Sequence, residues 1–463
     1  MFAFGRSNSR AASMSRSIAH WTMTVFGRMM RFENNAQWIS LKPDRTRRIM
    51  RVCTAAAILV SLLPASAAAR DITVATWNLG WHVDKATAAT WVAKCDGLFE
   101  KDPTTGVWRP STGGTGIPGW QVNFREKVEW DWTKFPVCDV YKDRSFDTVP
   151  VTVGAYDKRL QQLNDFIQNT IPADIYAFEE VSGEQAVREA LPDGGNGYNV
   201  CTFPDFKVQR LAVAWKAELG EPVACIVEPQ LSLPDNPEED QPRPGLSVDL
   251  KIDGELLRIL VVHLKSSCVS PLEASGDLTD GNDRDCRILQ QQIVPIERWV
   301  EDRFSGADKV ILLGDFNRNF WHEVHETGPV RTDGSSPHTP LPAGVLVKDL
   351  FGEVFDDDPA STTATLLPEE CPINATTMAL CHKDETEILS SDERKQLSQS
   401  ANLGCRNPLG LDHILISRGI ASAHAAEHVA IGVFGGTRPA SDTHPDPLLA
   451  ISDHCPMVTR LSL

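Results

Sequence analysis

Several apolar runs in this chain end on side chains that bind divalent cations or move protons. Gly314-Asp315-Phe316-Asn317 closes Val310–Leu313, and His263 closes Val261-Val262. Asp412-His413 opens Ile414–Ser417, and Ser452-Asp453-His454 stands near the C-terminal end. Asn78 and Glu180 lie at the ends of two more such runs, Ile72–Trp77 and Asp174–Val181. Breaking a phosphoester needs a cation to neutralise the phosphate, a base for the attacking water and donors for the non-bridging oxygens. Mg2+-type ions take oxygen ligands, which Asn78, Glu180, Asp315, Asn317, Asp412 and Asp453 offer. An imidazole beside a carboxylate has a raised pKa and a fixed tautomer, which suits His263 and His454. Singly, an Asp after a strand is more often a turn or cap residue, and His263 a structural histidine. Together these side chains point to metal-assisted phosphoester hydrolysis.

The elements that must position them are mainly strands. Ile72–Trp77, Asp174–Val181, Leu211–Trp215, Leu246–Ile252, Glu255–Leu264, Val310–Leu313, Leu411–Ser417 and Pro456–Leu463 read as strands, with Asp253-Gly254 as a hairpin turn. Apolar residues at helical spacing predict a helix over 155–169, closed by Pro172, and a second over Leu289–Phe304, kinked or begun near Pro295. Helices set between strands in this way cover the outer faces of two packed sheets. Two insertions interrupt the pattern, at about 97–150 and 320–405. Long loops are usually functional or stapled. Trp108, Trp120, Trp130 and Trp132 in the first invite a ligand-stacking reading, but a small satellite core is the better expectation.

Residues 1–69 differ from the rest. Met50-Arg51, the apolar Ala55–Leu63 and Ala65-Ser66-Ala67-Ala68-Ala69 have the basic start, apolar centre and small-residue cleavage site of an export signal. Ala55–Leu63 is about half the ~20 residues a membrane span needs. Met50 is an alternative start to Met1, and Arg47-Arg48 hints at twin-arginine export rather than the general route. The expected organisation is an N-terminal extension with signal (1–69) and one domain (70–463), exported to the periplasm or beyond, with no transmembrane anchor. Setting aside the ten basic and two acidic residues of 1–69 leaves 35 Lys/Arg and 60 Asp/Glu, a net charge of −25. Such a surface repels polyanions unless a local basic strip or bound cations reverse the field; Lys265, Arg287 and Arg210 offer a short strip at most. The ten remaining cysteines, with no CxxC, favour disulfides over zinc. Cys95 with Cys138, Cys268 with Cys286 and Cys371 with Cys381 are plausible pairs.

In order along the chain, Trp77-Asn78, Glu179-Glu180-Val181, His263-Leu264, Gly314-Asp315-Phe316-Asn317, Leu411-Asp412-His413 and Ser452-Asp453-His454 resemble the motifs of the endonuclease/exonuclease/phosphatase superfamily, deoxyribonuclease I-like proteins among them. The resemblance spans roughly residues 71–463. It implies a four-layered α/β sandwich with the site at one end of two packed sheets. It further implies Glu180 as principal metal ligand, helped by Asn78 and Asp453, with Mg2+ or Mn2+ (Ca2+ as a third choice) as cofactor. His454 would act on the water or bind the phosphate, oriented by Asp412; Asp315 and Asn317 would position the phosphate and leaving group, and His263 would stabilise or protonate. Glu179 departs from the family pattern, where Gln commonly precedes the metal Glu; alternation along a strand is expected to turn it away. The expected activity is that of an exported phosphodiesterase or nuclease, with nucleic acid favoured as substrate over small phosphates or phospholipid. The alternatives are a phosphatase or sphingomyelinase-like phospholipase C, and a catalytically silent binding protein of the same fold.

Overall fold

A computed structural model describes residues 70–463 apart from 205, 271–281, 326–349, 357–358, 360–361, 372–374, 399–402 and 406–409. The export-signal expectation lies outside the described residues. Sheet one contains β1 (Asp71–His82), β2 (Ile175–Val181), β3 (Tyr198–Thr202), β4 (Arg210–Lys216) and β11 (Met457–Ser462), in the order β11-β1-β2-β4-β3. Short strands Glu369–Glu370, Ala421–Ser422 and Ala426–His428 extend its β11 side. Sheet two contains β5 (Pro222–Glu228), β6 (Gly245–Ile252), β7 (Glu255–His263), β8 (Lys309–Asp315), β9 (Ala364–Leu366) and β10 (Asp412–Ser417), in the order β9-β10-β8-β7-β6-β5.

Strand side chains alternate between faces, and the apolar residues follow that rule into separate layers. Val74, Ile175, Ala177, Val213, Ile259, Val261, Ile311 and Leu313 fill the core between the sheets. Their neighbours Ala75, Trp77, Tyr176 and Phe178 face outward, where the amphipathic helix α2 (Val153–Asn169) covers them with Leu160, Leu163 and Phe166. On the far side, Leu260, Val262, Val310 and Leu312 meet α4 (Asn282–Phe304) through Leu289, Ile293, Ile296 and Val300. Helix, sheet, sheet, helix is the four-layered α/β sandwich expected from the sequence.

One expectation needs correction. Helix α4 begins at Asn282, earlier than the expected Leu289, and Pro295 lies inside it rather than at its start. An internal proline loses one backbone hydrogen bond, but the apolar stripe continues across it and its burial on sheet two holds the helix together. Segment 97–150 carries the expected satellite core on strands of its own. It forms a small sheet of Leu98–Lys101, Trp108–Pro110 and Ile117–Pro118. Over that sheet lies a satellite core in which Trp120 is buried and Trp108, Trp130 and Trp132 pack partly buried. Helices α1 (Lys85–Asp96) and α3 (Glu184–Ala190) are absent from the sequence reading, as are the short helices Phe320–His325, Leu350–Val354, Ala375–Asp384 and Ser391–Ser398.

All ten described cysteines are paired. Cys95–Cys138, Cys268–Cys286 and Cys371–Cys381 match the expected pairs, and Cys201–Cys225 and Cys405–Cys455 complete the set. Cys201–Cys225 joins β3 of sheet one to β5 of sheet two. Among the described residues, no helix is long and apolar enough to cross a membrane.

Candidate active site

The inter-sheet faces continue past their apolar residues into a polar end. Ile259 and Val261 are followed on the same face by His263, and Ile311 and Leu313 by Asp315. Ile414 is preceded on that face by Asp412, and Val74 is followed by Thr76 and Asn78. Parallel pairing sets His263 beside Asp315, and antiparallel pairing sets Asp412 on its other side. One rule, two-residue alternation, therefore delivers four of the expected side chains to one end of the sandwich. Gly314 permits the close approach: its φ is +131°, and a Cβ there would sit 2.2 Å from the Val262 carbonyl oxygen.

Two more side chains arrive by breaking the rule. The register of β2 shifts at a bulge after Phe178, where Glu180 has φ 57°, and Asn317 has φ 52° just past β8. Bulges and left-handed non-glycine residues concentrate where a side chain must be re-aimed. Glu179 stays on the alternating pattern, which keeps it on the inter-sheet face after Ile175 and Ala177 rather than turning it away, but it does not line the cleft. Its destination is the buried layer beneath the site, where it accepts from Thr76 Oγ1 at 2.8 Å. Burial, with the charges of Asp412 and Asp315, pushes it well above the usual carboxylate range.

The side chains are wired together. Asp315 Oδ2 accepts from Asn78 Nδ2 at 3.0 Å, and its Oδ1 accepts from the Asn317 backbone N–H at 2.8 Å. His454 Nδ1 lies 2.8 Å from Asp412 Oδ2, which leaves Nε2 directed toward Asp315 Oδ2 at 3.8 Å. His263 Nε2 is 3.5 Å from the same Asp315 oxygen and 3.8 Å from Glu180 Oε1. Glu180 Oε2 accepts from the Trp81 N–H at 3.1 Å. Asn317 Nδ2 donates to the Leu264 carbonyl at 3.1 Å. Ser452 Oγ donates to the Asn78 carbonyl at 2.5 Å, and Trp77 Nε1 donates to the His454 carbonyl at 2.9 Å, fixing the loop that carries Asp453. Asn78, Glu180, His263, Asp315, Asn317, Asp453 and His454 line one cleft of about 450 Å3, with Asp412 buried behind His454. All eight expected side chains thus meet at one place.

Burial sets the charge states. It pushes the Asp315 carboxyl up to about 7, against the pull of His454 and with help from Asp412. It works against a charged His454, but the Asp412 and Asp315 carboxylates outweigh it and hold that ring well above its ordinary range. His263 goes the other way: burial and the Arg243 cation push it well below, so it is neutral.

Oxygen donors suited to Mg2+ or Mn2+ come from Asn78, Glu180 and Asp453, all on the cleft wall. Ligand atoms of Asp315, Asp412 and His454 also lie within 4.8 Å of one another. In that cluster His454 Nδ1 and Asp412 Oδ2 already contact each other at 2.8 Å.

Residues 140–454 match the endonuclease/exonuclease/phosphatase family. The chain belongs to this family. The match begins after Asn78, whose place in the site rests on the geometry above. No curated protein matches the chain in sequence. Among solved structures, the chain is similar to the Bacteroides thetaiotaomicron mannosyl-6-phosphatase Bt3783 (12% identity, 85% of this chain and 100% of that one, TM-score 0.38). It is similar also to the catalytic domain of human Nocturnin (14% identity, 69% and 91%, TM-score 0.36). A third is the Neisseria 3′ phosphatase NExo bound to a product DNA hairpin (16% identity, 66% and 95%, TM-score 0.34).

This family member also uses residues that the sequence reading left without a role. Arg159, on the apolar stripe of α2, is buried and donates to the carbonyls of Leu79, Ala450 and Ile451 at 2.8, 2.9 and 2.6 Å. It ties the end of β1 to the Ser452-Asp453-His454 loop. A charge on an apolar helical stripe was the available signal. Arg243, in the loop before β6, brings its guanidinium to 3.5 Å from Glu180 Oε1. Two of the residues expected to offer a short basic strip have other partners. Lys265 pairs with Asp285 at 2.8 Å, and Arg210 lines a separate cleft with Asp84 and Ser182.

Proposed function

We propose that this chain is an exported, divalent-metal-dependent phosphodiesterase, with nucleic acid as the favoured substrate. The observation that carries the reading is the convergence of Asn78, Glu180, His263, Asp315, Asn317, Asp453 and His454 on one cleft beside Arg243. Glu180, with Asn78 and Asp453, would hold Mg2+ or Mn2+. Such an ion, when bound, supplies positive charge against the phosphoryl oxygens.

The protein's own groups do the rest. Arg243 and the imidazolium of His454 hold the non-bridging oxygens. Asp315, raised toward neutrality and oriented by Asn78 and the Asn317 N–H, takes the proton of the attacking water. Asp412 keeps His454 charged and fixes the orientation of its ring. Asn317 and neutral His263 steady the phosphate and the leaving oxygen. A second reading, hydrolysis of small phosphate esters, is favoured by the −25 charge of residues 70–463, which disfavours a long polyanion track. The five disulfides accord with export to an oxidising compartment.

Plasmid DNA, sphingomyelin and p-nitrophenyl phosphate, each assayed with Mg2+, Mn2+ or EDTA, test the proposal. DNA cleavage abolished by EDTA supports the leading reading. Turnover of p-nitrophenyl phosphate alone supports the second, and turnover of none overturns both.

A further inference from the structure

The 97–150 insertion reaches the cleft at one point. Cys138 is tied to Cys95 at the end of α1, and three residues beyond it Tyr141 and Lys142 join the cleft wall. Tyr141 is only 7% exposed, yet its hydroxyl has no hydrogen-bond partner among the described residues. Burying an unpaired hydroxyl is unfavourable, and native structures rarely leave one without a reason. The ring itself is well held. The Arg159 guanidinium stands 5.8 Å from its centroid and the Trp91 ring 6.4 Å away, while the Tyr141 carbonyl accepts from the Val149 N–H at 2.9 Å. Lys142 is held alongside by Asp139 at 3.2 Å and Thr148 at 3.0 Å. Burial raises the phenol above its usual range, the Arg159 cation opposing and the Asp453 charge assisting, so the group stays a protonated donor.

We propose that Tyr141 is a substrate-contacting residue, its phenol donating a hydrogen bond to a non-bridging oxygen of the bound phosphoester. The inference rests on the phosphoesterase reading above. It gives the insertion a function: a disulfide-closed arm that adds one neutral donor to a site otherwise built from the ends of the two sheets.

The test compares full-length wild type, Tyr141→Phe and His454→Ala, all with saturating Mg2+. Bis-p-nitrophenyl phosphate serves as substrate, orthophosphate as competing ligand, and melting temperature as the fold control. Phe keeps the ring and removes only the donor. Expected for Tyr141→Phe are an unchanged melting temperature and Mg2+ affinity, with kcat/KM and orthophosphate affinity each reduced roughly tenfold, the worth of one hydrogen bond to a charged group. Unchanged kcat/KM and phosphate affinity would overturn the inference. So would a loss confined to Mg2+ affinity, or an activity loss that tracks a lower melting temperature. Full turnover in His454→Ala would instead overturn the phosphoesterase reading itself.

Discussion

His454 and Asp412 behave as one unit because a 2.8 Å contact joins them where neither reaches solvent freely. Asp412→Asn keeps the shape and removes the charge that holds the imidazole protonated. Turnover is expected to fall roughly 10²- to 10⁴-fold, the range of a lost acid–base group, with little change in melting temperature; steady-state kinetics and a thermal melt check both. Most of the site was legible at this scale. Asn78, His263, Asp315, Asp412 and the Ser452-Asp453-His454 run stand out because each interrupts or ends an apolar run, a local signal. Arg159, Arg243 and Tyr141 were not assigned, since each reaches the cleft from a helix, a loop or an insertion through contacts far apart in sequence. No periodicity records those contacts.

Strands fix the precision of the site, and Gly314 is where they meet most closely. Gly314→Ala would place a methyl against the Val262 carbonyl at a backbone conformation that L residues rarely adopt. The expected loss is about 2–3 kcal/mol or more, read from urea unfolding, together with lower activity as His263 and Asp315 move apart. The bulge at Glu180 shows the limit of pattern reading. Alternation alone puts Glu179, not Glu180, on the inter-sheet face, and only the irregular register turns Glu180 into the cleft. Helix α4 makes the same point in reverse: local proline chemistry predicts a kink or a start near Pro295, yet the helix runs from Asn282 through it, its stripe from Leu289 to Phe304 buried on sheet two.

Across the whole molecule, a buried ionic bridge joins the sheets behind the site. Glu369 of sheet one receives His413 of β10 at 2.7 Å and His428 of sheet one at 2.9 Å, and the other His413 nitrogen lies 2.8 Å from the Arg318 carbonyl. Burial opposes the charge on Glu369, but the two histidines hold it well below the usual range; burial likewise opposes a charged His413, and Glu369 raises it. The depressed carboxyl stabilises above its unfolded pKa of about 4.3 and loses that contribution as pH falls, whereas the raised imidazole stabilises below its unfolded value of about 6.5 and loses it as pH rises. The bridge should therefore contribute most between about pH 4.5 and 6.5. Glu369→Gln should lower the melting temperature most in that window and less at higher pH; an equal loss at every pH would contradict the linkage. Long-range pairings of this kind, like the joining of Cys201 to Cys225 between sheets, were beyond the sequence, whereas strand and helix patterns indicated two packed sheets covered by helices, and the family resemblance implied their four-layered order. The central claim, that this end of the sandwich hydrolyses phosphoesters with a divalent ion, is tested most directly by turnover of bis-p-nitrophenyl phosphate with Mg2+ or Mn2+, after EDTA treatment, and in Asp315→Ala. The account predicts activity that EDTA abolishes, that added metal restores, and that Asp315→Ala lowers at least about a hundredfold. Turnover indifferent to EDTA, or intact in Asp315→Ala, would contradict it.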